Sequence, residues 1–194
     1  MVVRLAPVNP QSDGAVRGGR RAILRGMRAI PLLRGAFDDL HEVVREEMAG
    51  VDPASLEWRA GPGVNTIGFL FWHMVRDEDV VISHAGGREQ AWVEGGFAER
   101  LGLPEHEQGT GMDIDRAGSL RYNMKAFMEY AEQVWERTGT TLGSLDGDDL
   151  EGVAWEGSEW TTAQLLVEGC LGHSWLHLGE IRFCRGLMGW RGPE

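Results

Sequence analysis

Two histidines, His173 and His177, stand four residues apart in "GCLGHSWLHLGE". On a helix such a pair shares one face, with Cβ atoms about 6 Å apart. Two imidazoles so placed can bind one metal ion through ring nitrogens at about 2.0–2.1 Å. Two ligands make a weak site, so a third is expected from a neighbouring helix. "FLFWHMVRDED" supplies a candidate in His73, which shares a helix side with Leu70 and Asp77. Three neutral imidazoles leave coordination positions for water or substrate, as in catalytic rather than structural sites. The competing reading of all three is hydrogen-bonded filling of a core.

Other polar residues near these histidines have two readings each. Asp77 and Glu180 lie within a turn of a candidate ligand and could orient a ring N–H; otherwise they are surface charges. Arg76 and Arg182 could hold a substrate carboxylate or form helix salt bridges. Cys170 could approach the metal or act as a small buried hydrophobe. His41, His84 and His106 read as structural or exposed. Cys170 and Cys184 would stand roughly 21 Å apart on one helix, beyond disulfide reach, which fits a reducing compartment.

Four amphipathic helices must position these groups. The first, about 32–49, carries Leu33, Phe37, Leu40, Val44 and Met48 at alternating four- and three-residue steps. The second opens at Asn65 as N-cap and runs to about 84, with a stripe of Ile67, Leu70, Phe71, Met74 and Val81. The third, about 116–138, carries Leu120, Met124, Phe127, Ala131 and Val134 and is expected to stop at Gly139. The fourth starts at Thr161, which forms a capping box with Gln164. Its stripe is Leu166, Cys170, His173, His177, Ile181, Cys184 and Met188. Without an alternating strand pattern, the fold class is all-α, an up-and-down four-helix bundle with long inter-helix loops.

The loops 87–115 and 139–160 exceed the usual connection length, so they should be functional or locally structured. The first carries Trp92, Phe97 and the glycine-rich "GTGMD"; the second carries "DGDDLEG", Trp155 and Trp160. The acidic run lacks the spacing of a twelve-residue calcium loop and reads as solvated surface. Trp72, Trp175 and Trp190 flank the histidine helices, where they could line a pocket, pack in the core or form a dimer contact.

The chain has 194 residues and a net charge of −11. Residues 1–34 hold seven arginines against Asp13 alone, so this end is +6 and the rest is −17. A body so acidic repels phosphate backbones, which argues against nucleic-acid binding by the domain. The expected division is an arginine-rich, flexible extension at 1–30, with Met27 as an alternative start, and one domain at 31–194. Without a long apolar run or a secretory leader, no membrane association is expected and the location is read as cytoplasmic.

"RAGPGVNTIGFLFWHMVRDEDVV" and "GHSWLHLGEIRFCRGLMG" together resemble the DinB-like superfamily of four-helix metalloproteins, over roughly residues 30–190. The resemblance implies a divalent metal, zinc or nickel, held by His73, His173 and His177. It also implies an open coordination position beneath a linker, here 87–115. Better-understood relatives transfer or isomerise with low-molecular-weight thiols, so the expected activity is metal-dependent thiol transfer to an electrophilic small molecule. A metal-dependent hydrolase using the same site, and a non-catalytic metal-binding stress or interaction protein whose bundle dimerises, are the alternatives; the expected partners are a small-molecule substrate and a second copy in a homodimer.

Overall fold

The computed structural model describes residues 29–190, so the arginine-rich extension expected at 1–30 lies almost wholly outside the described residues. Four long helical segments form the body: α1 (Ala29–Met48), α2 (Ile67–Ala85), α3 (Met124–Ser144) and α4 (His173–Leu187). Among the described residues there is no strand, and an isolated antiparallel bridge pairs Val153 with Thr161. The all-helical expectation holds. The long connections carry short helices of their own, the local structure that their length calls for.

The first helix follows its sequence pattern closely: Leu33, Phe37, Leu40, Val44 and Met48 are all buried. The second helix is the centre of the molecule and packs against both α3 and α4. Fifteen of its nineteen residues are buried, the condition of a helix enclosed on all sides rather than one floating on a core. Its N-cap is Thr66, whose Oγ1 accepts from Phe69 N at 3.2 Å, not the adjacent Asn65.

The third helix starts later and ends later than its glycine and leucine spacing suggests. A short helix, Ile114–Ser119, ends at Leu120, and α3 begins afresh after Asn123, whose side chain accepts from Ala126 N at 3.1 Å. Gly139 does not stop it, because Thr138, Thr141 and Leu142 continue the buried face beyond. One helical glycine costs about 1 kcal/mol, less than the burial of that extra turn supplies.

The largest departure is in the last helix. The Thr161–Gln164 capping box forms as expected, but Leu165–Gly172 is a π-helix before α4 begins at His173. Wider turns shift the register. The buried positions become Leu166, Cys170, Ser174, Leu178, Ile181 and Cys184. His173 and His177 therefore stand at the edge of the buried stripe, not within it, and Met188 falls outside the helix.

The connections are anchored. In 87–115, Ala91–Glu94 and Phe97–Leu101 are short helices that bury Trp92 and Phe97 completely. The acidic run at 146–151 is a short helix with its own capping box: Asp146 accepts from Asp149 N, and Asp149 accepts from Asp146 N.

Candidate metal centre

The structure brings His73, His173 and His177 together, with one nitrogen from each ring within 4.8 Å of the others. Ring centroids are 5.0 Å apart for His73–His173, 5.1 Å for His73–His177 and 4.3 Å for His173–His177, with the planes steeply inclined. His73 comes from the middle of α2. The other two come from the first turns of α4, directly after the π-segment.

Each ring has its Nδ1 against an oxygen acceptor. His73 Nδ1 donates to the Gln108 carbonyl at 2.5 Å, and His177 Nδ1 donates to Glu180 Oε2 at 2.8 Å. His173 Nδ1 lies 3.2 Å from Asp77 Oδ2, within ion-pair range but off the line of a good hydrogen bond. A carbonyl or carboxylate only accepts, so the bonds of His73 and His177 place the proton on Nδ1 and leave Nε2 with its lone pair. His173 Nε2 and His177 Nε2 then face each other at 2.8 Å. Two bare lone pairs would repel at that distance, so the pair requires either a proton or a cation between the two nitrogens.

The surroundings tune the rings differently. Burial pushes His73 below its ordinary pKa against the opposing pull of the Gln108 carbonyl, so the ring stays neutral. The Asp77 carboxylate raises His173, and partial burial works against it. A carboxylate behind a histidine makes the ring a more basic ligand and fixes its orientation. This donor set fits a divalent cation with nitrogen preference.

Asp77 and Glu180 are thus both beside candidate ligands, although Glu180 is also exposed to solvent. The loop 87–115 reaches the centre through a residue the sequence did not single out. Gln108 supplies its backbone carbonyl, and Gly109 follows with φ +95°. A Cβ at Gly109 would lie 2.9 Å from His73 Nδ1 and 3.1 Å from Phe69 Cζ. "GTGMD" offered the only signal, since glycine is the residue that permits such an approach.

The remaining candidates do not join the site. Arg76 is buried and shared among Glu107 O, Asp79, Tyr130 and Gln90, while it stacks on Trp92. Arg182 pairs with Glu47 at 2.6 Å. Cys170 is fully buried, and burial pushes its thiol well above its ordinary pKa, which keeps it protonated. His41 is buried against Glu78 at 2.8 Å, and His84 Nε2 donates to the Ala154 carbonyl. Trp72 is in the core, whereas Trp155, Trp160 and Trp175 are partly exposed.

Comparisons with known proteins bear on the fold and the family. A crystal structure described as the conserved protein of locus from Enterococcus faecalis superposes with a TM-score of 0.73 at 20% identity. It covers 84% of this chain and 99% of that one, a likeness of fold. No curated protein matches the chain. The family model of the DinB superfamily matches residues 36–181, a span that takes in all three histidines, the whole of α2 and the first part of α4; the chain belongs to the DinB superfamily.

Proposed function

We propose that residues 31–194 form a helical-bundle domain that holds one divalent cation, zinc or nickel, on His73, His173 and His177. The observation that carries the reading is the gathering of the rings: one nitrogen from each lies within 4.8 Å of the others, while Nδ1 of His73 and of His177 is held by an oxygen and Nδ1 of His173 lies beside Asp77. Such an ion would supply Lewis acidity and a lowered pKa to a coordinated water or thiol. Gln108 and Glu180 hold two of the rings in one tautomer, Asp77 lies beside the third, and Phe69, stacked on His73 at 5.6 Å, walls one side of that ring. Three ligands leave room for a small molecule. Membership of the superfamily favours a low-molecular-weight thiol as co-substrate and an electrophile as acceptor, in the cytoplasm.

Elemental analysis of the purified protein should show about one divalent ion per chain. His173→Ala should lose it while keeping its helical circular dichroism; full metal content in that variant would sink the site. Metal-loaded and metal-stripped protein should then be compared with a panel of thiols and electrophiles. Metal-dependent thiol consumption supports transfer, ester or amide cleavage without thiol supports a hydrolase, and stoichiometric binding without turnover supports a binding protein.

A further inference from the structure

The last helical run buries Leu166, Cys170, Ser174 and Leu178 at successive four-residue steps. Three such steps span more chain than three α-helical turns, which take about 10.8 residues. About one surplus residue must be absorbed if these side chains are to share a face, and the π-turns of Leu165–Gly172 absorb it. The register carries a cost. Ser174 is wholly buried, and its Oγ has no hydrogen-bond partner among the described residues. A cost held in the core beside His173 points to a function of the register beyond packing.

Two glycines make room for the wide turns. At Gly172 a Cβ would lie 3.1 Å from Val167 O, the backbone carbonyl five residues back. Five residues is the span of a π-turn, so the crowding belongs to that turn. A carbonyl, unlike the end of a long side chain, yields only if the turn itself changes. At Gly169 a Cβ would lie 3.0 Å from Trp160 Cζ3 and 3.1 Å from Leu165 Cδ1, so the indole lies close against the segment. In the α-helical part, by contrast, a Cβ at Gly179 or Gly186 meets nothing within 4 Å.

We infer that Gly172 is a positioning residue of the metal centre. By admitting the π-turn it lets the surplus residue be taken up directly before His173, which turns the His173–His177 pair towards His73. The inference rests on the reading of the three histidines as metal ligands. If the surplus were not absorbed ahead of His173, every later residue would turn by one position, about 100°, and the pair would no longer meet His73. The surplus can also be removed. Deleting Val167, which is 44% exposed, leaves the same buried side chains at steps of three, four and four, a spacing that an α-helix holds on one face.

Zinc affinity of the full chain, measured by competition with a chromophoric chelator, tests the inference. Gly172→Ala should bind zinc about 10–100-fold more weakly, the loss usual when a group that orients a ligand is removed. Its helical circular dichroism without metal should be unchanged. Gly186→Ala, the same substitution where space is open, should keep the wild-type affinity. Deletion of Val167 should keep it too, and the deletion combined with Gly172→Ala should restore it, because the turn that the added methyl group crowds is gone. A methyl group that merely destabilised the fold would still do so in the combined variant. Equal affinity in the wild-type protein and Gly172→Ala would overturn the inference and leave the metal site standing. So would an equal loss in Gly186→Ala, a deletion that loses zinc, or a combined variant that fails to recover it, whether or not Gly172→Ala folds. A wild-type protein that binds no zinc would overturn the metal reading and the inference with it.

Discussion

His73 shows how little freedom a histidine ring has once one of its nitrogens is engaged. Its proton is committed to the Gln108 carbonyl, and the next residue, Gly109, sits where any side chain would strike the ring. Gly109→Ala meets two obstacles, a backbone at φ +95° that disfavours a Cβ and a contact with His73 that is too short. Relief requires the carbonyl to withdraw. The expected result is metal affinity weaker by about 10–100-fold, the usual effect of losing a ligand's hydrogen-bond acceptor, read by competition with a chromophoric chelator. Unchanged affinity would mean that Gln108 does not orient the ligand. The three histidines were legible because their spacing is a helix spacing and residue type restricts their chemistry. Gln108 was not, because it acts through its backbone, which leaves no mark on residue type.

Asp79 does for the linker what Gln108 does for His73. Its carboxylate accepts from Ala91 N and Trp92 N at 2.9 Å each, and from Tyr130 Oη at 3.0 Å, with Arg76 Nη1 at 3.4 Å. It ties α2 to the start of the 87–115 connection and to α3, and so fixes the segment that presents Gln108. Asp79→Ala should cost about 3–5 kcal/mol, because it leaves Arg76 buried beside unpaired donors. Urea unfolding measures it, and a loss below about 1 kcal/mol would show the network to be dispensable. In the sequence "RDED" reads as charge on a surface, since burial of acidic residues is decided by partners about 12 to 50 positions away. The π-segment was illegible for a related reason: Leu165–Gly172 keeps the same four-and-three apolar steps as an α-helix. The widened turns show only in which residues are buried, Ser174 and Leu178 taking the positions that spacing assigned to the histidines. Its consequence is that the pair stands beside the core, within reach of solvent and of α2 together.

At the level of the whole molecule, the proposed centre would draw its ligands from α2, which is buried along most of its length, and from α4, which packs on it. A cation that binds only the folded arrangement stabilises it by mass action, about 2.7 kcal/mol at a hundredfold excess over Kd. Chelation should therefore lower Tm in the wild-type protein and leave Tm of His173→Ala unchanged, as followed by differential scanning calorimetry. An equal fall in both would place the binding elsewhere. The helical class, the core stripe of α1 and the site helices were readable because apolar periodicity is a local property. The interior of the connections was not, as short helices such as Ala91–Glu94 owe their existence to Trp92 finding a cavity between α2 and α3.

The burial of α2 on all sides also has a consequence for how the protein is made. Its last neighbour, α4, lies on the order of 100 residues downstream, so during synthesis α2 must wait with an apolar flank uncovered. His73 emerges long before His173 and His177. The nascent chain can neither close its core nor assemble its three-histidine cluster until α4 has left the ribosome, and over that interval the apolar flank of α2 is open to solvent.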